Sequence, residues 1–586
     1  MPHLLVLQTG MPLNIVRSTQ LDPEDFPDWI KPLDLHPVIK RLYLNRGIHR
    51  AEEIDCGAAH LLNYQLLAGI EPAVALLVNA FSQQRKIIVV GDFDADGATS
   101  TALCLLALTE MGAYHVDHLV PNRFEYGYGL TPEIVDVAHQ QGAQLIITVD
   151  NGISCHAGVA HAKALGMEVL ITDHHLPAET LPDADAIVNP NQPECHFPSK
   201  MLAGVGVAFY LMVALRAKLK DTGWFEQRGI AQPNLANYLD LVALGTVADV
   251  VPLDRNNRIL VHQGLQRIRA GKCRPGILAM LEVANKKPYQ LNASDLGFVL
   301  GPRLNAAGRL DDMSLGIACL LANDSQHARS LAVELDRLNQ ERKHIEHSMQ
   351  QEALAALESV QLEQQLPLGL VIYQADFHAG VIGIVAGRLK DKMHRPTVVF
   401  AEESDQVLKG SARSVKGIHI RDVLEAVNSK HPQLIIKFGG HAMAAGLSLQ
   451  KHNLDAFNEA FNQQLAVFEQ QITQTQRIHS DGELPGECLA LTFAEELGKA
   501  GPWGQGFSEP VFDGHFFIRD QRIVGEKHLK MLLSDSSGNT VDAIAFNVDR
   551  DIWPKNTANS VQMAYKLDVN EFRNQRSVQL IVEALE

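Results

Sequence analysis

The chain has 586 residues, and at roughly 150 residues per domain this length predicts three or four domains rather than one. Hydrophobic residues make up 46% of the chain and charged residues 20%, as in folded globular proteins, and no window is apolar for long enough to form a membrane helix. The net charge of −17 argues against a protein that coats nucleic acid over its whole surface.

The first predicted elements follow residues 1–80, which carry no motif that indicates a function. Short apolar runs that predict buried strands alternate with segments of helical pattern: "KIIVV" at 86–90, "HVDHLV" at 115–120, "LIITV" at 145–149 and "EVLIT" at 168–172. Strands and helices that alternate at this spacing predict a parallel α/β sheet. In such sheets ligands bind beyond the carboxyl ends of the strands.

Three of these strands end in side chains that could bind a metal ion. Together with the later apolar segment "ALGTVADVVPL", they supply the following candidates: Asp92, Asp94, Asp96, Asp150, Asp173, His174, His175 and Asp249. Because parallel strands end at one edge of a sheet, we expect these groups to converge. Carboxylates with one or two imidazoles suit Mn²⁺ or Mg²⁺ better than a structural zinc. Two ions about 3.5–4 Å apart would offset the repulsion and support phosphodiester hydrolysis.

Each of these signals has a simpler explanation when it stands alone. An Asp-x-Asp pair after a strand is often turn chemistry or helix capping, and a pair of histidines is more often structural than metal-binding. The glycines around Asp96 do not indicate an NTPase, because "GDFDADGATS" lacks the lysine of GxxxxGK[ST]. Four candidate segments, three of them on one predicted sheet edge, together favour the metal site.

The rest of the chain predicts a long helix, a second α/β lobe and a final β region. Residues 323–360 contain no Gly or Pro and keep helical spacing, which predicts one connecting helix of about ten turns. The second lobe has strands in "LGLVIYQ" and "PTVVFAE". Its segment Lys409–Lys437 has six basic and two acidic residues, which is either a solvated face or a place to bind nucleic acid. After "SDGELPGE", five short alternating strands predict a small β-barrel or sandwich.

The motifs, taken in order, resemble a known family. "DFDADG", "VDNG", "DHH" and "GTVADVVPL" resemble the signatures of the DHH phosphoesterase superfamily. "GPRLNAAGRL" at 301–310, "GSARS" at 410–414 and "FGGHAMAAG" at 438–446 resemble the RecJ family in particular, which degrades single-stranded DNA from 5′ to 3′. The match extends from about residue 86 to residue 446, and the final β region fits the oligonucleotide-binding (OB) fold of that family.

The resemblance implies a role for each matching residue. The metal ligands would be Asp94, Asp96, Asp150, His174 and Asp249. His175 would be a further ligand or would support one, and Asp92 would orient the loop or a ligand. Arg303, Asn305 and Arg309 would face the scissile phosphate, since guanidinium groups bind phosphate in bidentate fashion. For Arg309, an ion pair with Asp311 or Asp312 is an open alternative.

Further residues are candidates for holding the DNA strand. Arg123 follows a strand of the catalytic edge, and the tyrosines beside it could stack on bases. In the second lobe Ser411, Arg413, Gly440 and His441 could form an anion pocket for a 5′ phosphate. The alternative for the glycines is a tight turn.

The resemblance also implies an organisation, cofactors and partners. The expected domains are an N-terminal extension packed on the catalytic lobe (1–80), a DHH catalytic domain (81–322), a connecting helix (323–360), a DHH-associated domain (361–468) and an OB-fold domain (469–586). Two Mn²⁺ or Mg²⁺ ions, single-stranded DNA, a single-stranded-DNA-binding protein and a helicase are the expected ligands and partners of a monomer. The seven cysteines form no CxxC pair, and the start lacks the basic region of a signal peptide, so we expect a cytoplasmic protein with free thiols.

Two other functions remain open from the sequence. The chain could be a non-catalytic relative that grips single strands in a replication assembly, although such a protein has no need of the full ligand set. It could also hydrolyse short RNA fragments, cyclic dinucleotides or pyrophosphate. The roughly 120 residues after the second lobe favour a polymer substrate instead.

Overall fold

A computed structural model of the chain describes residues 14–121, 129–361, 367–473, 477–525, 527–550, 552–554, 557–573 and 575–586. The residues form two compact units. The first comprises Met1–Leu338 with His479–Glu586, and the second comprises Asn339–Ile478. The division into five domains stays a prediction.

The chain up to residue 321 contains six strands and thirteen α-helices within the described residues. In order they are β1 (Asn14–Arg17), α1 (Pro37–Asn45), α2 (Ile70–Ser82), β2 (Ile87–Val90), α3 (Ala95–Glu110), β3 (Val116–Leu119), α4 (Pro132–Gln140), β4 (Leu145–Val149), α5 (His156–Ala164), β5 (Glu168–Thr172), β6 (Ala186–Val188), α6 (Gly204–Asp221), α7 (Trp224–Arg228), α8 (Leu239–Ala248), α9 (Arg255–Arg269), α10 (Pro275–Val283), α11 (Ala293–Asp295), α12 (Gly301–Leu310) and α13 (Ser314–Leu321).

A five-stranded parallel sheet is the centre of this region, with strand order β3-β2-β4-β5-β6. Alternate residues of a strand point to opposite faces. Ile87 and Val89 therefore enter a large core with α3 and α6, whereas Ile88 and Val90 enter a smaller core with α4 and α5. Four of the five strands match the prediction, and the three-residue β6 is too short to show a pattern.

The predicted connecting helix is α14 (Ser325–Gln361), which is continuous over 37 residues. It contains no Gly or Pro to interrupt it. Its first turns belong to the first unit and its remaining turns to the second.

The second unit is built on a mixed five-stranded sheet of order β10-β11-β9-β8-β7, in which only β7 and β8 are parallel. Its elements in order are β7 (Leu370–Tyr373), α15 (Ile382–Met393), β8 (Thr397–Ser404), β9 (Val407–Arg413), α16 (Ile420–Lys430), β10 (Lys437–Gly440), β11 (Ala444–Gln450), α17 (Leu454–Leu465) and α18 (Glu469–Thr473). Glu346 of α14 pairs with Arg342 and with Arg388 of α15, at 2.6 and 2.8 Å, which joins the two helices within this unit.

The final region is a closed five-stranded barrel of order β13-β14-β15-β17-β16. Its elements in order are β12 (Arg477–Ser480), α19 (Leu491–Lys499), β13 (Phe512–Val524), β14 (His528–Ser534), β15 (Thr540–Ala545), β16 (Ser560–Phe572) and β17 (Gln575–Leu585). The five strands predicted from alternating apolar residues are those of the barrel, because one face of each strand fills the interior.

The N-terminal segment contacts the barrel region as well as the parallel-sheet domain. Arg46 pairs with Asp481 at 3.0 Å, and both side chains are nearly buried. Arg17 pairs with the buried Asp513 at 2.6 Å. On the other side, α2 packs against α6 and β6. The segment therefore links two parts of the first unit that are far apart in sequence.

Among the described residues no single helix has the length and hydrophobicity needed to cross a membrane. The bent pair Ala58–Leu66 and Ile70–Ser82 reaches this length and hydrophobicity when its two helices are taken together.

Candidate active site

The ends of three neighbouring parallel strands bring the acidic and histidine motifs together. β2, β4 and β5 are adjacent and in register, so the loops that follow them share one edge of the sheet. Three groups of side chains there have ligand atoms within 4.8 Å of one another: Asp150, His174 and His175; Asp96, His174 and Asp249; and Asp92, Asp94 and Asp150. The predicted convergence is therefore present, while the role of each residue as a metal ligand stays a prediction.

Two helix N-termini hold the first pair of carboxylates. Asp94 caps α3 and accepts hydrogen bonds from the backbone N–H groups of Asp96 and Gly97, at 2.9 and 3.0 Å. Asp96 accepts from the N–H groups of Gly204 and Val205, at 2.6 and 2.9 Å, where α6 begins. The positive end of each helix dipole stabilises the negative charge next to it.

Two glycines allow these groups to approach so closely. A Cβ atom added to Gly204 would lie 2.7 Å from the Cβ of Asp150, and one added to Gly245 of α8 would lie 2.9 Å from Oδ1 of Asp96. Larger residues would push the carboxylates apart. The small residues therefore set the spacing of the site.

The two histidines make different contacts. His174 Nε2 lies 3.1 Å from Asp150 Oδ1 and 3.5 Å from Asp249 Oδ2. His175 Nδ1 donates to Asp173 Oδ1 at 2.7 Å, and the same oxygen accepts the backbone N–H groups of both histidines. His174 is therefore among the candidate ligands, and Asp173 fixes the loop that carries it.

Burial and mutual repulsion govern the protonation of the carboxylates. Burial and the charge of Asp94 raise the pKa of Asp96 to about 7, although the two backbone hydrogen bonds lower it. Burial and the charges of Asp96 and Asp94 raise the pKa of Asp150 and that of Asp249 well above the ordinary value. The site gathers more negative charge than its hydrogen bonds can stabilise. A divalent cation with a preference for carboxylate oxygen and imidazole fits this donor set.

In the Asp173–His175 pair, unlike the carboxylate cluster, the charged form of each side chain is favoured. Burial would lower the pKa of His175, but the hydrogen bond and the charge of Asp173 raise it to about 9. Burial would raise the pKa of Asp173, but the same hydrogen bond keeps it below the ordinary value. At neutral pH the pair is therefore an ion pair, and the imidazolium of His175 keeps a proton on Nε2.

We expect the metal-free protein to lose stability as the pH rises from about 4 to about 7, relative to an Asp96→Asn variant. In the folded protein the pKa of Asp96 is raised to about 7, from the value of 3.8 that is ordinary for an exposed aspartate. The folded state thus binds this proton more tightly. Binding of this proton contributes on the order of 4 kcal/mol to the free energy of unfolding. The contribution is complete below the lower of the two pKa values and is lost as the pH rises through the higher one.

Thermal unfolding in EDTA at pH 5 and at pH 7.5 tests this expectation. The midpoint of the wild type should fall more between the two pH values than that of Asp96→Asn, and Mn²⁺ should reverse the fall. Parallel changes in the two proteins would contradict the raised pKa of Asp96.

The predicted phosphate-binding residues lie on α12 and contact protein groups. Asn305 Oδ1 accepts the backbone N–H of Ala95 at 2.8 Å, so this side chain supports the start of α3. Arg303 pairs with Asp336 of α14 at 2.8 Å and donates to the carbonyl of Val299. Arg309 is half-buried in the last turn of α12. Arg123 lies outside the described residues.

The residues predicted to bind a 5′ phosphate are neighbours in the second unit. Arg413 ends β9, and its Nη1 donates to Ser411 Oγ at 3.1 Å. The turn between β10 and β11 carries His441 and follows Gly440. Gly440 has a φ of +144°, and a Cβ added to it would lie 2.4 Å from a backbone oxygen, so the position requires glycine. Ala444, where β11 begins, pairs with Arg413. The four predicted residues therefore lie at one end of this sheet.

A helix N-terminus adds to this group. A Cβ added to Gly383, in the first turn of α15, would lie 2.9 Å from Arg413 Nη2 and 3.0 Å from Ser411 Oγ. Burial lowers the pKa of Arg413, and no carboxylate in the described residues forms an ion pair with it. A half-buried guanidinium beside the N-terminus of a 12-residue helix is an arrangement that suits an anion.

Several of these supporting groups do not follow from the motifs alone. The α6 backbone at Gly204 and Val205 holds Asp96, and Asn191 Nδ2 donates to the carbonyl of His174 at 2.7 Å. The small-residue run "AGVGV" and the asparagines of "VNPNQ" are the only sequence signals for them. Gly383 belongs to "GVIG", where a glycine marks the close approach of Arg413.

Three protein-family models match the chain. The DHH family, N-terminal domain, matches residues 86–246, the DHHA1 domain matches residues 368–467, and the RecJ OB domain matches residues 480–584. The three matches correspond to the parallel-sheet region, the second unit and the barrel.

Individual proteins are similar over most of their length. The single-stranded-DNA-specific exonuclease RecJ of Salmonella typhimurium is 57% identical over 554 residues, which are 94% of this chain and 96% of that protein. Crystal structures of Thermus thermophilus RecJ with Mn²⁺ and with Mg²⁺ have TM-scores of 0.79 and 0.73, at 29% and 28% identity. Each covers 98% of this chain, and the chain covers 79% and 78% of them. The predicted architecture of a parallel-sheet lobe, long helix, second α/β lobe and OB-like barrel is confirmed.

Proposed function

The chain belongs to the RecJ family of single-stranded-DNA-specific exonucleases, and from that premise we propose that it releases mononucleotides from the 5′ end of single-stranded DNA by two-metal hydrolysis. The observation that carries the proposal is the convergence of carboxylates and imidazoles from three neighbouring strand ends. A protein that only grips single strands gains nothing from this buried, mutually repelling cluster.

The metal ions would be Mn²⁺ or Mg²⁺, held by Asp94, Asp96, Asp150, His174 and Asp249. When bound they would supply positive charge at the scissile phosphate and a nucleophilic water at neutral pH. Thermus thermophilus RecJ, with 98% of this chain aligned, crystallises with either ion.

The protein's own groups position the reacting parts. Asp173 orients His175, whose protonated Nε2 can donate to a phosphate oxygen or to the leaving oxygen. Asn305 supports the loop that carries Asp94 and Asp96 through its bond to Ala95. Arg303 forms an ion pair with Asp336 and can also contribute to binding the strand.

The barrel presents a surface suited to single strands. His515, Phe517 and Arg519 are exposed at alternate positions of β13, and the rings of His515 and Phe517 lie 5.7 Å apart. Aromatic side chains stack on bases of any sequence, and nearby cations hold the backbone. We infer that this face lengthens the grip on long strands.

The polarity of the reaction and the strand requirement can be tested together. Single-stranded DNA labelled at the 5′ or the 3′ end, matched RNA and blunt duplex DNA are offered to the enzyme with Mn²⁺ or Mg²⁺. We expect immediate release of the 5′ label as a mononucleotide and delayed release of the 3′ label. Duplex should be a poor substrate, because each opened step costs about 1.4 kcal/mol in stacking. Release of the 3′ label first, or cleavage of duplex at the single-strand rate, would overturn the proposal.

The cellular setting follows from the family resemblance. We propose a cytoplasmic monomer that acts in DNA recombination and repair, mismatch repair included. A helicase would expose the strand, and a single-stranded-DNA-binding protein would coat it.

A further inference from the structure

A cavity of about 440 Å³ lies beside the segment that carries Asp249. Val250 and neighbouring apolar residues form one wall, and Leu265 of α9 and Phe298 form another. Trp503, in the segment that leads to the barrel, closes part of the cavity. A mostly apolar cavity of this size is typical of small-molecule sites.

The α9 wall of the cavity carries a positive charge that forms no ion pair within the described residues. Arg269 lines the cavity and donates its Nε to the carbonyl of Leu291 at 2.7 Å. Burial lowers its pKa, although the charge of Asp295 acts against this. Asp295 is itself paired with Lys286 at 2.8 Å. Within the described residues, no carboxylate lies within ion-pair distance of Arg269, so its guanidinium can receive an anion.

On the barrel side of the cavity the positive charge is already paired with carboxylates. Lys566 lies between Glu509 and Glu583, at 3.1 and 3.2 Å. An additional anion there would meet two carboxylates. The charge distribution therefore directs an anionic group towards α9 and leaves the apolar walls for the rest of the ligand.

The cavity also touches an unusual piece of backbone. Val250, directly after Asp249, has a φ of +64° and an exposed fraction of 63%. A β-branched residue is strained in this conformation. A ligand packed against Val250 would favour the strained conformation and so fix the position of Asp249.

We propose that this cavity is an effector site for a small organic anion with an apolar or aromatic body, bound through Arg269 and linked to the metal centre through Val250. The linkage through Val250 would make the metal ion and the effector strengthen each other's binding.

The test uses 8-anilino-1-naphthalenesulfonate, an aromatic anion that becomes fluorescent in apolar surroundings, with the intact chain in EDTA. We expect one site per chain, weakened about tenfold or more in Arg269→Gln and retained in Arg269→Lys. Gly498 lines the cavity, and a Cβ added to it would meet nothing within 4 Å. The protein can therefore accept Gly498→Phe, and the phenyl ring should fill the cavity and abolish binding of the probe. Val467→Ser, at a residue 80% exposed in the second unit, should bind the probe normally.

Three results would overturn the proposal. Equal probe affinity in all variants would show that the probe binds elsewhere. Displacement by an oligodeoxythymidine strand would place the cavity on the path of DNA. An unchanged Mn²⁺ affinity at saturating probe, measured by calorimetry, would refute the link to Asp249. None of these depends on cleavage, so the result is independent of the proposed nuclease activity. Displacement by decanoate would identify an aliphatic acid as the natural class, and displacement by thymidine 5′-monophosphate would identify a product nucleotide.

Discussion

Replacing Asp150 by Asn or Ala is expected to reduce cleavage of single-stranded DNA below detection while the protein stays folded. Asp150 is 2% exposed and belongs to two of the three groups that could hold a metal ion. Removing its charge should therefore weaken metal binding at the centre of the site. Cleavage assays and Mn²⁺ calorimetry on the same preparations measure both effects.

The two variants distinguish the effect of losing the carboxylate from the effect of the backbone conformation at residue 150. Asp150 has a φ of +62°, a conformation that Asn tolerates much better than Ala. Both variants lose the repulsion from Asp94 and Asp96. In EDTA, Asp150→Asn should therefore unfold at a higher temperature than the wild type, and Asp150→Ala at a lower temperature than Asp150→Asn.

A surface aspartate gives the matched control. Asp183 has a side chain that is 94% exposed and pairs with Lys163, so Asp183→Ala should cleave at the wild-type rate. Substantial cleavage by Asp150→Asn with Mn²⁺ still bound would refute the two-metal proposal.

Replacing Arg413 by Ala should weaken the binding of 5′-phosphorylated strands about 10- to 100-fold, and that of 5′-hydroxyl strands much less. A charged hydrogen bond to phosphate contributes about 1.5–3 kcal/mol. Arg413 contacts Ser411 and lies beside the first turn of α15, so its loss would remove the cation of the anion pocket. Equilibrium binding of the two strand types in EDTA measures the difference without cleavage.

Lys416 provides the comparison for this experiment. It belongs to the same basic segment but is exposed, so Lys416→Ala should weaken both strand types slightly and equally. Equal losses in Arg413→Ala would mean that Arg413 contacts the strand in general and does not recognise its end.

The strand ends and the long helix could be predicted from the sequence because their signals are local. "KIIVV" and "LIITV" are continuous apolar runs bounded by turn residues, and α14 has no residue that breaks a helix. Parallel strands then bring Asp92, Asp150 and Asp173 to one edge without further information. The alternation in the last hundred residues similarly predicts the barrel.

The supporting contacts could not be predicted because their partners are distant in sequence. The bonds from Gly204 and Val205 to Asp96 cross more than a hundred residues. Nothing near Arg303 in the sequence indicates that Asp336 is its partner. Likewise nothing near Asn305 indicates that its Oδ1 accepts the backbone N–H of Ala95. Side-chain direction depends on packing, which a single sequence does not contain.

The pairing of Arg46 with Asp481 has a consequence for how the protein is made. The two residues are 435 positions apart, so on the ribosome Arg46 emerges long before its partner exists. The whole second unit, Asn339–Ile478, is synthesised in the interval and can complete its own core first. A nascent chain stopped before residue 481 would hold Arg46 without its counter-charge, and burying an unmatched guanidinium costs several kcal/mol. The Arg46 guanidinium therefore stays in water until the barrel region is translated, and only then can the N-terminal segment form its contacts with Asp481 and Ser508.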